Sequence, residues 1–411
     1  MKSLIPPRYL ELLNQKDFFT LTLIIFLFQV ANSFILLALI VLVFAQTGSN
    51  FGVSGVILSF ATPGFFLMAI GGLMADLFDR RRIMIAACSL LAVVVLAILL
   101  TIEKIYASIV LSFLYFAINS FFLPSASAAN VQLVSRPKLL AANSIFILTL
   151  AGGQLLGFLF ASLVHFFFGN LWMLVLCEMM ILAVIWLICL MPSLQPRSRE
   201  AASILRALLA IWSAFIYIFK RKIIWFFFLI FGLMQGLVAF GVTLGPGFFD
   251  EVVGIAIDKS PLLALPPVIV GVGLGAIFIQ GQNIRESSLV VVGLGIIGLV
   301  AFSIGLILKY GLVSQVYILI PAWVLLTAFG FGIIVATIAS RTVLQRAVSY
   351  NFQGTVFGAM VVMAAFFAGV MSPLAAGIEA LIGYINILIF GGLAFTLFSF
   401  SLAQVGNRWK F

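Results

Sequence analysis

The stretch GGLMADLFDRRRIMI, residues 71–85, sets two aspartates and three consecutive arginines between two long apolar runs. Only 8% of the chain is charged, so this concentration needs a reason, and the reason depends on what the flanking runs are. Hydrophobic residues make up 64% of the 411 and the mean hydropathy is +1.30. Too little polar surface remains to cover a soluble core. The apolar runs last about 20 residues or more, the length that crosses a hydrocarbon layer as a helix. They lack the roughly ten-residue alternation of a barrel strand. Forty-three phenylalanines in such runs suit a surface that faces lipid. The chain is read as an all-α integral membrane protein.

Several function classes drop out on composition. Cys88, Cys177 and Cys189 all sit in apolar runs without CxxC or CxxH spacing, so neither a metal site nor a disulfide framework is expected. The first run begins near Phe18, exceeds a signal-peptide core in length and ends without a small-residue cleavage pattern, so it is expected to stay in the protein. There is no Walker A sequence, no GxSxG and no metal-ligand cluster, so no enzyme activity and no cofactor are expected.

Twelve spans are predicted, near 18–45, 52–76, 83–102, 105–130, 139–167, 171–191, 223–248, 261–281, 288–308, 313–339, 352–376 and 381–404. The divisions at Glu103-Lys104 and Gly169-Asn170 rest on very short polar signals. Charge then sets the orientation. With the amino terminus cytoplasmic, the inner segments hold Lys2, Arg8, Lys16, Arg80–Arg82, Arg136, Lys138, Arg197, Arg199, Arg206, Lys220–Lys222, Arg285, Arg341, Arg346, Arg408 and Lys410. The outer segments keep Lys104, Lys259 and Lys309. That bias obeys the positive-inside rule and predicts both termini on the cytoplasmic side of the cell's inner (plasma) membrane. The net charge of +10 is thereby a topology signal, and no nucleic-acid partner is called for.

The longest polar connection, PSLQPRSREAASILRALLAIWSAFIYIFKRK at 192–222, follows the sixth span. It divides the chain into a six-helix half at 1–191, a cytoplasmic linker at 192–222 and a second six-helix half at 223–411. Residues 201–219 are apolar enough to imitate a span, but Arg206 interrupts them and basic groups stand at both ends, which favours an amphipathic helix on the cytoplasmic surface. The halves are faintly alike. VQLVSRPKLLAANSIF (131–146) and LQRAVSYNFQGTVFG (344–358) place Gln132 and Gln345 similarly, each ahead of Val-Ser and a helix rich in small residues. Repeated halves are common in secondary transporters.

The opening stretch now falls in a tight cytoplasmic turn between spans two and three. Gly71 and Gly72 are expected to let neighbouring helices approach. Asp76 sits just inside a helix end, where a carboxylate needs a partner: a nearby arginine or the amino terminus of another helix. Such a contact would join the halves on the inner side and break as they rock apart. Arg80, Arg81 and Arg82 equally serve as plain topology anchors.

The segment GGLMADLFDRRR resembles the cytoplasmic loop signature of the major facilitator superfamily, roughly G-x-L-x-D-x-x-x-R-R, with Gly72, Asp76 and Arg80 to Arg82 on its positions. Asp79 stands where many members carry glycine or another turn residue. PSASAANVQLVSRPKLLAANSIF (124–146) and LQRAVSYNFQGTVFGA (344–359) extend the likeness to the drug, macrolide and siderophore efflux branch, which borders on lysophospholipid flippases. The resemblance implies twelve transmembrane helices in two pseudo-symmetric halves. Two stretches depart from it: AGGQLLG (151–157) lacks the proline of the antiporter pattern, and QGQNIRESS (280–288) carries Arg285 and Glu286 without the full loop signature.

Polar residues inside spans are the site candidates, because lipid tolerates them poorly. Gln29 and Asn32, three apart, share a helix face with Ser33 beside them, and Tyr115 and Asn119, four apart, share another. Gln154 and Gln235 complete the set. The resembled fold lines its central cavity with the first, fourth, seventh and tenth helices, which implies Gln29, Asn32, Tyr115, Asn119 and Gln235 as cavity groups. Each is equally able to act as interhelical glue. Glu178, the sole carboxylate deep in a span, is the candidate proton carrier, or else a locally paired group. His165, the only histidine, lies near the outer end of span five. Asp250, Glu251, Asp258 and Glu379 fall in exterior connections.

A cavity so nearly free of charge suits a bulky amphipathic or hydrophobic molecule, a drug-like compound or a lipid. The expected function is proton-coupled efflux by alternating access, from a monomer in the lipid bilayer, with protons as coupling ion. The alternatives are a lysophospholipid or other lipid flippase, and a non-transporting sensor or scaffold.

Overall fold

A computed structural model of the chain describes residues 11–135, 138–195, 204–255, 259–280, 285–311, 319–346 and 353–406. Regular structure among them is helical throughout. An apolar segment in lipid has no water to satisfy its backbone N–H and C=O groups, and a helix satisfies them internally. In chain order the helices are α1 (Lys16–Thr47), α2 (Asn50–Phe66), α3 (Met68–Leu77), α4 (Arg80–Leu100), α5 (Ile105–Gln132), α6 (Leu139–Phe168) and α7 (Asn170–Cys189). They continue as α8 (Ile204–Phe219), α9 (Lys222–Gly247), α10 (Ser260–Gln280), α11 (Glu286–Tyr310), α12 (Leu319–Arg346) and α13 (Gln353–Gly406). A π-helical turn, Phe248–Val253, prolongs α9.

Ten of the described helices are long and apolar enough to cross a membrane, or eleven if the broken pair α2–α3 is one span. Both short polar signals mark real breaks. The chain leaves α4 at Leu100 and enters α5 at Ile105, while Gly169, at φ 83°, separates α6 from α7 in a single residue. Only glycine takes that backbone region without steric cost.

Two expectations differ from the structure. The second span is not continuous: Pro63 lies inside α2, and the helix breaks one turn later at Leu67. A helix-interior proline removes a donor and crowds the preceding turn. The last two spans are parted not at 377–380 but at Gly383, whose non-helical backbone (φ 74°, ψ 163°) joins two helices across a kink within α13. A straight helix of 54 residues would reach about 80 Å against a hydrocarbon layer of about 30 Å, so the chain has to turn within it.

The linker carries α8, whose 16 residues expose Leu209, Trp212, Ile216 and Phe219 at spacings of three and four. An exposed apolar stripe of this kind suits a helix lying along an interface. Lys2, Arg8, Arg136, Arg197, Arg199, Asp258, Arg408, Lys410 and residues 347–352 of the second-half likeness lie outside the described residues.

The chain divides into two units, Met1–Gly48 with Leu58–Leu209, and Ser49–Ile57 with Ala210–Phe411. In the first, α1 packs against α5, α6 and α7, while α4 lies on α5 and α7 and α3 lies on α5. In the second, α11 packs on α12 and α13, α10 on α12, and α9 on α12 and α13. Phe227, Phe228, Met234, Leu294, Val335 and Met360 form its core.

Candidate functional site

The site starts from α1, which is apolar on every side and buried along most of its length. Between Phe28 and Phe44 only Gln29, Asn32 and Leu36 escape burial. Spacings of three and four put these residues on one stripe, so the two amides mark the single accessible face of that stretch.

Two neighbours hold α1 in place. On α6, a Cβ at Gly153 would come within 2.9 Å of the Gln29 Cβ, and one at Gly157 within 2.7 Å of the Ser33 Oγ and 2.9 Å of the Val30 Cα. Gly153-x-x-x-Gly157 therefore lets the two backbones approach closely, as small-residue motifs do where lipid supplies no hydrophobic drive. Ser33 donates across that contact to the Gln154 carbonyl, at 3.0 Å. On α5, Phe122 stacks on Phe28 with ring centroids 3.6 Å apart.

This packing brings four predicted residues together. The Asn32 Oδ1 accepts from the Tyr115 hydroxyl at 3.0 Å and from the Asn119 Nδ2 at 2.8 Å. The Asn32 Nδ2 donates to the Gln29 Oε1 at 3.2 Å. Tyr115 is fully buried, whereas Gln29, Asn32 and Asn119 are half-buried. The quartet holds no charged group, so what it offers is hydrogen bonding and apolar contact.

Glu178 is on α7, one residue beyond Cys177, whose thiol lies 3.4 Å from the Ala31 carbonyl of α1. One Glu178 oxygen, Oε2, is buried with no hydrogen-bond partner among the described residues, and the carboxyl is near enough to act on Tyr115 electrostatically. His165 is buried near the end of α6, where its carbonyl accepts from the Gly169 N–H that closes the helix. Gln235 belongs to the other unit and is half-buried on α9.

At the turn between α3 and α4, Asp79 and Arg81 cap helices. Asp79 is the N-cap of α4: its carboxylate accepts from the Arg81 N–H at 3.0 Å, the Ser193 hydroxyl at 2.7 Å and the Leu194 N–H at 3.0 Å. Burial pushes this carboxyl up, but those hydrogen bonds and the Arg82 charge outweigh it and hold the group below its ordinary value. Arg81 donates to the Ile188 and Cys189 carbonyls at 3.1 and 2.6 Å, covering the orphan end of α7. Arg80 donates to the Gln132 Oε1, while the Gln132 Nε2 donates to the Gln195 carbonyl at 2.9 Å. Arg82 is exposed.

Two residues of the loop signature sit differently from expectation. Gly71, not Gly72, makes the close approach: a Cβ at Gly71 would strike the Ser120 carbonyl on α5, while Gly72 faces open space. Asp76 is exposed at the end of α3, where it makes no hydrogen bond or ion pair among the described residues. Its charge still acts through space on Arg80.

Sequence reasoning missed Asp79 as a cap, Arg81 as a clamp on α7 and the glycine pair at 153 and 157. The glycine spacing was there to be read in AGGQLLG. A further missed cluster is Asn50 at the start of α2, whose Nδ2 donates to the Tyr384 hydroxyl at 2.6 Å and the Glu379 Oε2 at 3.1 Å.

No curated protein matches the sequence. Among solved structures, the chain is similar to the nucleoside transporter NupG, with TM-score 0.74, 12% identity, and coverage of 96% of this chain and 100% of that one. It is similar also to the POT family transporter PepTSo, with TM-score 0.71, 11% identity, and coverage of 96% and 98%. At such identities these likenesses describe the fold alone. The family model described as Major Facilitator Superfamily matches residues 21–373, and on that match the chain belongs to this superfamily.

Proposed function

We propose that this protein is a secondary transporter that carries amphipathic or hydrophobic small molecules outward by alternating access, driven by a proton gradient. The observation that carries this reading is the uncharged, hydrogen-bonded quartet of Gln29, Asn32, Tyr115 and Asn119 on the accessible stripe of α1. Substrates with formal charges, such as peptides, call for charged partners inside the bundle. The quartet supplies none, so apolar burial provides the affinity and the amides provide orientation.

The rest of the assignment follows from the same reading. Twelve spans are obtained if α2–α3 is one span and α13 two, in halves at 1–191 and 223–411 joined by the linker at 192–222. Both termini then face the cytoplasm, as the distribution of lysine and arginine favours. Glu178 is the proposed proton carrier, supported by its unpartnered buried oxygen and its proximity to Tyr115. Gln235 is the proposed contribution of the second half to the cavity. Gly72, Asp76 and Arg80–Arg82 form the proposed inner gate, in which Arg80 and Arg81 set the resting positions of α5 and α7.

Uptake into inside-out membrane vesicles tests the reading, with amphipathic drugs and a labelled lysophospholipid supplied with and without a proton gradient. Gradient-dependent drug accumulation, abolished by Asp76→Asn, is the expected result. Lysophospholipid movement indifferent to the gradient would replace efflux by lipid flipping. Cysteines at Asn32 and Asn119 that never alternate in reactivity between the two faces would sink transport altogether and leave a scaffold.

A further inference from the structure

Helix α8 ends at Phe219 and the membrane-length helix α9 begins at Lys222, so Lys220 and Arg221 make a corner at the level where the chain enters the bilayer. With 16 residues α8 reaches about 24 Å, short of a hydrocarbon layer of about 30 Å, so it does not cross. Its register gives it three faces. Phe215 and Ile218 form the first, which is turned onto α9: Ile218 is fully buried, and the Phe215 ring meets the Phe228 ring edge-on with centroids 5.7 Å apart. Ser213, Tyr217 and Lys220 form the second, which is polar. Leu209, Trp212, Ile216 and Phe219 form the third, apolar yet exposed, with Trp212 at 64%.

The corner gathers cations without counter-ions. Lys220, Arg221 and Lys222 are all exposed. The sequence has no acidic residue between Glu200 and Asp250, and none of the three cations pairs with a carboxylate among the described residues. Arg221 is held in place: it donates to the Tyr217 hydroxyl, and its guanidinium lies 4.1 Å from the centre of that ring. Phe219 and Trp225 stack across the corner with ring centroids 4.0 Å apart, which ties the end of α8 to the first turn of α9. The exposed apolar face and the cations are thereby held side by side.

We infer that α8 and its corner form a seat for anionic phospholipid, with the acyl chain against the exposed stripe and the phosphate drawn to Lys220, Arg221 and Lys222. The charge selects the head, because three unpaired cations favour an anionic over a zwitterionic lipid. The guanidinium of Arg221 presents a planar set of donors that suits phosphate oxygens. The position selects a lipid over a protein partner: the corner stands at the start of a membrane-length helix, where headgroups lie, and Trp212 is of the residue type enriched at that level. The inference needs neither the transported molecule nor a gradient, so it stands or falls apart from the transport reading.

The test is fluorescence quenching in the full-length protein in lipid nanodiscs. Cys88 and Cys177 are buried, so replacing exposed Cys189 with serine leaves Trp212→Cys as the site for a fluorescent label. The nanodiscs are phosphatidylcholine with phosphatidylglycerol as one lipid in ten, and the bromine quencher is carried on the chains of either the phosphatidylglycerol or an equal amount of the phosphatidylcholine. One well-placed cation favours an anionic headgroup by about fivefold, so bromine on phosphatidylglycerol should quench about threefold more than bromine on phosphatidylcholine. A label at Val292→Cys, exposed on α11, should give a ratio near one. Salt at about 1 M, or the triple variant Lys220→Gln, Arg221→Gln, Lys222→Gln, should bring the Trp212 ratio toward one. If the triple variant fails to fold, the salt series on the wild-type cations decides. A ratio near one at Trp212, an equal ratio at Val292, or a ratio that neither salt nor the variant moves would overturn the inference and leave the three cations as topology anchors.

Discussion

Replacing Asn32 with alanine tests whether the quartet holds the first unit together through one buried hydroxyl. The substitution removes the acceptor of the Tyr115 and Asn119 bonds and the donor to Gln29. The three losses are unequal. Gln29 and Asn119 are half-buried and can turn toward accessible space, but Tyr115 is fully enclosed and its hydroxyl has nowhere to go. An orphaned buried donor costs about 1–3 kcal/mol, and each interhelical hydrogen bond in a membrane protein contributes about 0.6 kcal/mol. Asn32→Ala should therefore destabilise by about 2–3 kcal/mol. Tyr115→Phe removes the same hydroxyl from the other side, so in that background Asn32→Ala should cost only about 1 kcal/mol. Reversible unfolding of all four proteins in mixed micelles gives the coupling energy directly. Additivity within about 0.3 kcal/mol would refute the argument, because residues that share no interaction behave in that way.

Three other outcomes follow from the same contacts. Gly157→Leu should destabilise severely, by more than about 3 kcal/mol, since its side chain meets Val30 backbone and Ser33, whereas Gly72→Ala should stay within about 0.5 kcal/mol. Thermal unfolding monitored by Trp fluorescence separates them. Arg81→Ala should cost about 1 kcal/mol and raise amide exchange at the end of α7, while exposed Arg82→Ala should leave that exchange unchanged. For Asp79 the folded carboxyl lies below its unfolded value of 3.8, so its contribution is present above that pH and is lost as pH falls through the lower folded value. Hydrogen exchange at 190–195 should accelerate as acid titrates Asp79, and Asp79→Asn should abolish the pH dependence of that acceleration.

Much of this was legible in the sequence, for physical reasons that particular residues make plain. Gln29 and Asn32 announced themselves because an amide in a lipid-length apolar run has to face something polar, and three-residue spacing fixes their common face. Tyr115 and Asn119 declared a second face in the same way. Which face meets which was not readable. Helix α1 is apolar all round, so its sequence has no stripe to say that α5 lies against Asn32 and α6 against Ser33. The loop signature was equally ambiguous. Its arginines read as anchors or as a gate, and only the positions of the Ile188 and Cys189 carbonyls made Arg81 a cap.

The sequence by itself determined that the chain lives in a membrane, that it crosses as helices and which polar groups lipid would not tolerate, because those follow from length, transfer energy and period. Tertiary structure alone decided that Asn32 is the shared partner of Gln29, Tyr115 and Asn119, that Gly71 rather than Gly72 touches α5, and that Asp76 stands free of any pairing among the described residues. Those outcomes depend on how close two helices come and at what register. That distance is set by side-chain volumes on both partners at once, which no single helix carries in its own sequence.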